Sequence, residues 1–336
     1  MAQGDLVPSA PNQGFESRAS DRFAEILRGL GGSLLVSTYQ AGRVLAIGLA
    51  DDEISITLHS FDHAMGMAVS PDRIAVGSWS QIWLLQAQND LAPRMIPAGR
   101  YDACYVTRLS HVTGEIRIHE MAWAGRELWY VNTLFSCLCV LGPSSSFLPR
   151  WKPPFITRLA AEDRCHLNGM AVTDGRVRYV SALGATDVKE GWRAEKATGG
   201  CVIDVPSGQI VASGFALPHS PRVHQGRLWL LDSGHGRMVT IDPASGRSTT
   251  VADIPGYPRG LAFAGPYAIV GLSRTRPGRG FEGMPLAEKR DTLMAGVAIV
   301  ELATGQTVAT LEFTSGVHET FDVQFLPNVR CPAFAG

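Results

Sequence analysis

The chain has 336 residues, 45% of them hydrophobic and only 18% charged, which is ample apolar material for a buried core. A formal net charge of -1 and a pI near 6.8, with basic and acidic residues interspersed, exclude the electrostatic footprint of a protein that binds nucleic acid or an anionic membrane. Six cysteines without a CxxC pair, and no apolar run near the roughly 18 residues of a membrane span, exclude a zinc ribbon and a transmembrane helix.

Residues 1 to 20 lack a basic segment followed by an apolar one and read as the flexible leader of a cytoplasmic protein, with a single domain over 21 to 336. DRFAEILRGL (21 to 30) alone has helical periodicity, with Phe23, Ile26, Leu27 and Leu30 on one stripe; it is expected to plug one end of the fold. Beyond it, short apolar runs are punctuated by glycine and proline, the pattern of an all-β chain. GSLLVSTYQAGRVLAIG (32 to 48) resembles the second and third strands of a unit that lacks its first.

Complete units follow. Their first strands read HAMGMAV (63 to 69), IHEMAWA (118 to 124), HLNGMAV (166 to 172), HSPRV (219 to 223) and PRGLAF (258 to 263); their second strands include RELWYVN, RVRYVSA and RLWLLDS. HETFDVQF (318 to 325) is a sixth first strand with no successor. A repeat of about 40 to 60 residues predicts a six-bladed β-propeller, closed by pairing the C-terminal strand with the orphan N-terminal strands, which leaves no open edge between first and last blades. Cys137 and Cys139 share one face of a predicted strand, and packing is the preferred reading of that pair.

Three segments exceed the repeat, at 99 to 117, 184 to 199 and 273 to 294, and blade topology sends all three to one end of the channel. They bring Tyr101, Tyr105, Trp192, Arg193, Arg274, Arg276, Phe281 and Arg290 there as an expected lid. GRGFEG (278 to 283) neither follows a strand nor opens a helix, so it is not a phosphate loop. On the same end, His63, His119, His166, His219 and His318 fall at or just before first strands of different blades. Imidazoles converging on an axis suit a transition metal, and His119, His166 and His219 are the predicted ligands of Fe, Cu or Zn. His111 is placed as a fourth ligand or acid-base group, Glu120 as a carboxylate supporting the site, and Tyr105, Asn168, Trp192, Arg193 and Arg222 as substrate contacts.

The strings DACY, SHVTGEIRIHEMAW, FSCLCVL, RWKPPFI, EDRCHLNGMAV, PHSPR, RGLAFAGPYAIVGLS and FDVQFLP resemble a bacterial family of uncharacterised conserved proteins of unknown function over nearly all of 32 to 332. That resemblance implies His111, His119, His166 and His219 as pattern residues, with Arg more usual at 63 and Gln or Glu at 318. More loosely, the architecture is similar to the six-bladed gluconolactonase, strictosidine synthase and peptide-amidating lyase propellers, whose sites occupy the channel mouth.

Two functions fit these features. The first is a metal-dependent enzyme, an oxygenase or a lyase or hydrolase, acting on a small organic molecule at the channel mouth. The second is a non-catalytic propeller whose decorated face binds a protein or peptide.

Overall fold

Short apolar runs separated by tight turns can satisfy their backbone hydrogen bonds only by pairing with one another, and they do so as antiparallel meanders. The structure, a computed structural model, describes residues 14–274 and 283–335, and these form six sheets around a central channel. Blade one is Met67–Ser70, Arg73–Gly77, Gln81–Ala87 and Ala103–Val112, from the channel outward. Blade two is Ile118–Ala124, Glu127–Asn132, Cys137–Val140 and Leu148–Trp151; blade three is Leu167–Thr173, Arg176–Ala182, Gly200–Asp204 and Ile210–Phe215. Blade four is Pro218–His224, Arg227–Asp232, Arg237–Ile241 and Ser248–Asp253; blade five is Tyr257–Ala264, Tyr267–Ser273, Gly296–Glu301 and Thr307–Ser315.

Blade six is assembled from both ends of the chain. Asp322–Pro327 lies innermost against Gly32–Thr38, followed by Arg43–Ala50 and Glu53–Ser60, as the two incomplete repeats require. Two further strands lock the same seam. Glu16–Ala19, inside the segment read as a leader, pairs antiparallel with Thr307–Ser315 on the outside of blade five. Pro332–Ala335 runs parallel to the start of Ala103–Val112 on the outside of blade one. Each neighbour of the closing blade therefore carries a strand from the opposite chain end.

The helix Asp21–Leu30 does form, and buries Phe23, Ile26 and Leu27. It packs against Arg43–Ala50 and Thr307–Ser315, across the seam between blades five and six, and does not plug the channel. Nor is 99 to 117 an insertion at the mouth: Ala103–Val112 is the fourth strand of blade one, so that segment is mostly blade.

Around the channel the first strands pack backbone to backbone. A Cβ on Gly66 would lie 2.9 Å from Glu120 Cα, one on Gly169 3.0 Å from Ser220 N, and one on Gly260 2.8 Å from the Asp322 carbonyl carbon. Odd blades thus present glycine where even blades present Glu120, Ser220 and Asp322, which explains why GMA and GLA recur in alternate repeats. Hydroxyls at the ends of second strands then stitch one blade to the next. Ser37 Oγ donates to the Met65 carbonyl at 2.6 Å, Thr133 to Leu167 at 2.6 Å, Ser233 to Pro258 at 2.6 Å and Ser273 to Thr320 at 3.1 Å.

Candidate functional site

The glycine contacts place the first strands in register, so the residues before them form stacked layers down the channel. The uppermost layer is His63, Arg117, His166, Leu217, Tyr257 and Glu319, one per blade. In blades one to four this step is left-handed, with φ of 54° at His63, 56° at Arg117, 47° at His166 and 50° at Leu217. Non-glycine residues adopt such angles at a cost that the surrounding packing must hold in place. Two residues deeper lie Met65, His119, Asn168, His219, Arg259 and Phe321. Glu120 and Asp322 follow in the next layer.

His63, His166, Leu217, Tyr257 and Glu319 of the upper layer and His119, His219 and Arg259 of the next line a cavity of about 510 Å³ at the mouth, with Tyr39, Trp79, Trp192, Arg193 and Arg274 at its rim and walls. Each imidazole in it is held by its Nδ1. That of His119 donates to the Arg117 carbonyl at 3.1 Å; that of His219 donates to the Leu217 carbonyl at 2.8 Å and meets Ser233 Oγ at 2.9 Å. The Nδ1 of His166 donates to Asp163 at 2.9 Å, a buried carboxylate that also accepts from Arg117 at 3.0 Å. Such anchoring fixes the tautomer and leaves Nε2 as the lone pair of each ring. Burial holds His119 and His219 well below the usual histidine pKa, reinforced for His119 by His166 and Arg259 and for His219 by Arg259, so both are neutral near pH 7.

Below the cavity, charge closes the channel. The Arg222 guanidinium donates to Glu120 at 3.0 Å, to the carbonyls of Leu261, Pro221 and Met170, and lies 3.9 Å from Asp322. Blades two, four and six are thereby tied together at the axis. Burial pushes the Glu120 carboxyl up to about 7, with Arg222 opposing that rise, and burial raises Asp322 as well.

Of the sequence-predicted residues, His119, His166, His219, Trp192 and Arg193 line the cavity, as do Arg274 and His63. The trio is not a ring at one height: His166 sits one layer above His119 and His219, two residues or roughly 6–7 Å along a strand. His119 and His166 touch, with ring centroids 4.8 Å apart. Among the described residues no three of His, Cys, Asp and Glu are placed to share one ion.

The other candidates lie elsewhere. Tyr105 is buried within the fourth strand of blade one, packed with Phe334. His111, on that same outer strand, directs Nε2 at the Ser146 carbonyl on the periphery of blade two. Asn168 is buried and donates to the Pro218 carbonyl across the blade interface. Glu120 and Arg222 belong to the floor, with the donors of Arg222 already engaged. His318 is exposed, and its neighbour Glu319 takes the place in the lining. Arg276 and Phe281 lie outside the described residues.

Sequence reasoning missed Asp163, Tyr257 and Arg259. Asp163 stands three residues before His166 in EDRCH, a spacing that turns a short polar side chain back onto the ring. Arg259 follows Pro258 as His219 follows Pro218, and both prolines pair with the end of their second strands, so the motif position was legible although its chemistry differed.

A family model described as a domain of unknown function (DUF4915) matches residues 21–334, from the seam helix to the last outer strand. The chain belongs to that family. The DUF4915 propeller also shares its fold with a chain in the crystal structure of a nidogen/laminin complex, at a TM-score of 0.54 and 14% identity over 88% of this chain and 99% of that one. At that identity the likeness concerns architecture alone. No curated protein sequence matches the DUF4915 chain. Among its described residues no helix is long and apolar enough to cross a membrane.

Proposed function

We propose that the DUF4915 propeller is an enzyme acting on a small organic molecule held at the channel mouth, with His166 as its general base. One observation carries the reading: the buried Asp163 carboxylate fixes Nδ1 of His166, so the lone pair of Nε2 is presented to a walled cavity. In this scheme His166 Nε2 takes a proton from the bound molecule and Asp163 stabilises the imidazolium that forms. His119, 4.8 Å away and neutral, accepts a second hydrogen bond from the substrate and repels the charged ring less than a cation would. The floor of Glu120, Arg222 and Asp322 seals the site from below. Proton abstraction of this kind belongs to lyase or hydrolase chemistry. Six unpaired, buried cysteines support a reducing, cytoplasmic setting.

A metal-dependent form of this reading is favoured by the anchoring of all three Nδ1 atoms, the arrangement in which imidazoles present Nε2 to a metal. Fe, Cu or Zn bound by His119, His166 and His219 would supply Lewis acidity or dioxygen activation. Among the described residues these three imidazoles do not meet at one point.

The test is incubation of the native protein and its His166→Ala and Asp163→Asn variants with a soluble metabolite pool, followed by mass spectrometry. At least one compound should be consumed and another formed by the native protein, with the rate falling about 100-fold or more in His166→Ala. An unchanged pool, or equal turnover by a folded His166→Ala protein, overturns the proposal. Elemental analysis of the same samples decides the metal form, which requires a stoichiometric metal that is lost from His166→Ala.

A further inference from the structure

The cations of the cavity are unevenly neutralised. Arg193 donates to Glu190 through Nε at 3.1 Å and Nη2 at 3.4 Å, and Arg274 donates to Glu312 at 3.1 Å. Arg259 differs. Its Nη1 is 3.9 Å from Glu319, beyond hydrogen-bond reach, and its Nη2 is buried without a hydrogen-bond partner among the described residues. Its guanidinium instead lies over the face of Phe321, 3.4 Å from the ring centroid. Aromatic contact holds the guanidinium flat but does not satisfy its N–H groups.

A guanidinium taken out of water in this way is costly unless a partner arrives, and burial already holds its pKa below the usual arginine value. Blade five stands opposite blade two across the axis, so Arg259 faces His119 at the same depth, with His166 one layer above. Tyr39, Trp79, Trp192 and Tyr257 supply flat apolar surface around the space between them. An anion on Arg259 would therefore have its body flanked by aromatic rings and its far end at the imidazoles.

We propose that the substrate of this cavity is a planar organic carboxylate, whose carboxylate is received by the Arg259 guanidinium in the cavity wall and whose unsaturated or aromatic body extends across the axis toward His119 and His166. A carboxylate suits the site better than a phosphate, because a planar guanidinium edge matches two coplanar oxygens, and Glu319 close by disfavours a dianion. The inference deepens the enzymatic reading above and rests on the cavity being a small-molecule site.

Trp79 and Trp192 in the walls provide the readout. Tryptophan fluorescence of the full-length protein is titrated with benzoate, with the isosteric but uncharged benzamide, and with inorganic phosphate. Benzoate should saturate the change and bind at least about 10-fold more tightly than either comparator; Arg259→Met should weaken benzoate about 10- to 100-fold while leaving benzamide unchanged. Arg259→Lys keeps the charge and loses the planar fork, and should fall between the two even if Arg259→Met folds poorly. Equal binding of benzamide and benzoate, tighter binding of phosphate, no binding of benzoate, or unaltered benzoate affinity in either variant overturns the proposal. Equal binding of the two isosteres would do so while leaving the enzymatic reading standing, since that reading fails only on the metabolite test.

Discussion

Single side chains at the mouth and floor titrate in opposite senses, and the signs can be separated. His119 and His219 are neutral in the fold but take up a proton near pH 6.5 when unfolded, so the unfolded chain binds more protons below that pH. Their contribution to stability is fully present above pH 6.5 and is lost as pH falls, by up to about 1.4 kcal/mol per pH unit for each ring. Glu120 runs the other way: pushed up to about 7 by burial, it lowers stability as pH rises from the ordinary carboxylate value toward 7. Comparing a variant with its parent cancels the Glu120 term. His219→Gln should therefore show a shallower loss of unfolding free energy between pH 7.5 and 5 than the native protein, measured by urea denaturation; parallel pH profiles would show that His219 is not held neutral by the fold.

Between neighbouring first and second strands, buried hydroxyls bear the inter-blade hydrogen bonding. Thr133 is fully buried, and its Oγ1 donates to the Leu167 carbonyl of the next blade at 2.6 Å. Thr133→Val keeps the shape of the side chain and leaves that carbonyl unsatisfied, so a loss of about 1–3 kcal/mol is expected in the denaturation free energy. A change within experimental error would mean that the blades are held by apolar packing alone. Threonine or serine at the end of a second strand is visible in the repeats as NT, DS and LS, but only the assembled ring shows that each hydroxyl points across to the following blade and not back into its own turn.

Closure of the ring determines whether the whole molecule folds. Removing 322–336 deletes the innermost strand of blade six and exposes facing edges on Gly32–Thr38 and the neighbouring blades, so the truncated chain should be recovered only as aggregate. Removing 329–336 deletes only the outer strand that pairs with Ala103–Val106, and this chain should remain folded with a lowered Tm. Soluble yield, circular dichroism and thermal melting distinguish the two; a soluble, cooperatively melting 322–336 deletion would contradict the role given to closure.

By itself the sequence determined the blade count, the all-β class and the circular closure, because a repeated apolar strand with its turns is local information and the orphaned strands at each end are complementary. It also put channel-mouth histidines on blades one to four, at His63, His119, His166 and His219, but not on blade six, where His318 is exposed and Glu319 lines the cavity. It did not reveal Glu16–Ala19 and Pro332–Ala335 as strands: four-residue segments are too short to show a strand's alternation and pair only because an edge awaits them. Tertiary structure alone decided the depth of each side chain. His119 stands two residues before Met121 and His166 four before Met170, but only the assembled ring shows that this offset is a difference in depth, and that Glu120 and Arg222, which read as site residues, meet at the axis to close the floor. The physical reason is that facing blades contribute residues far apart in sequence, so the pairing of charge with charge across the channel has no counterpart in any one repeat.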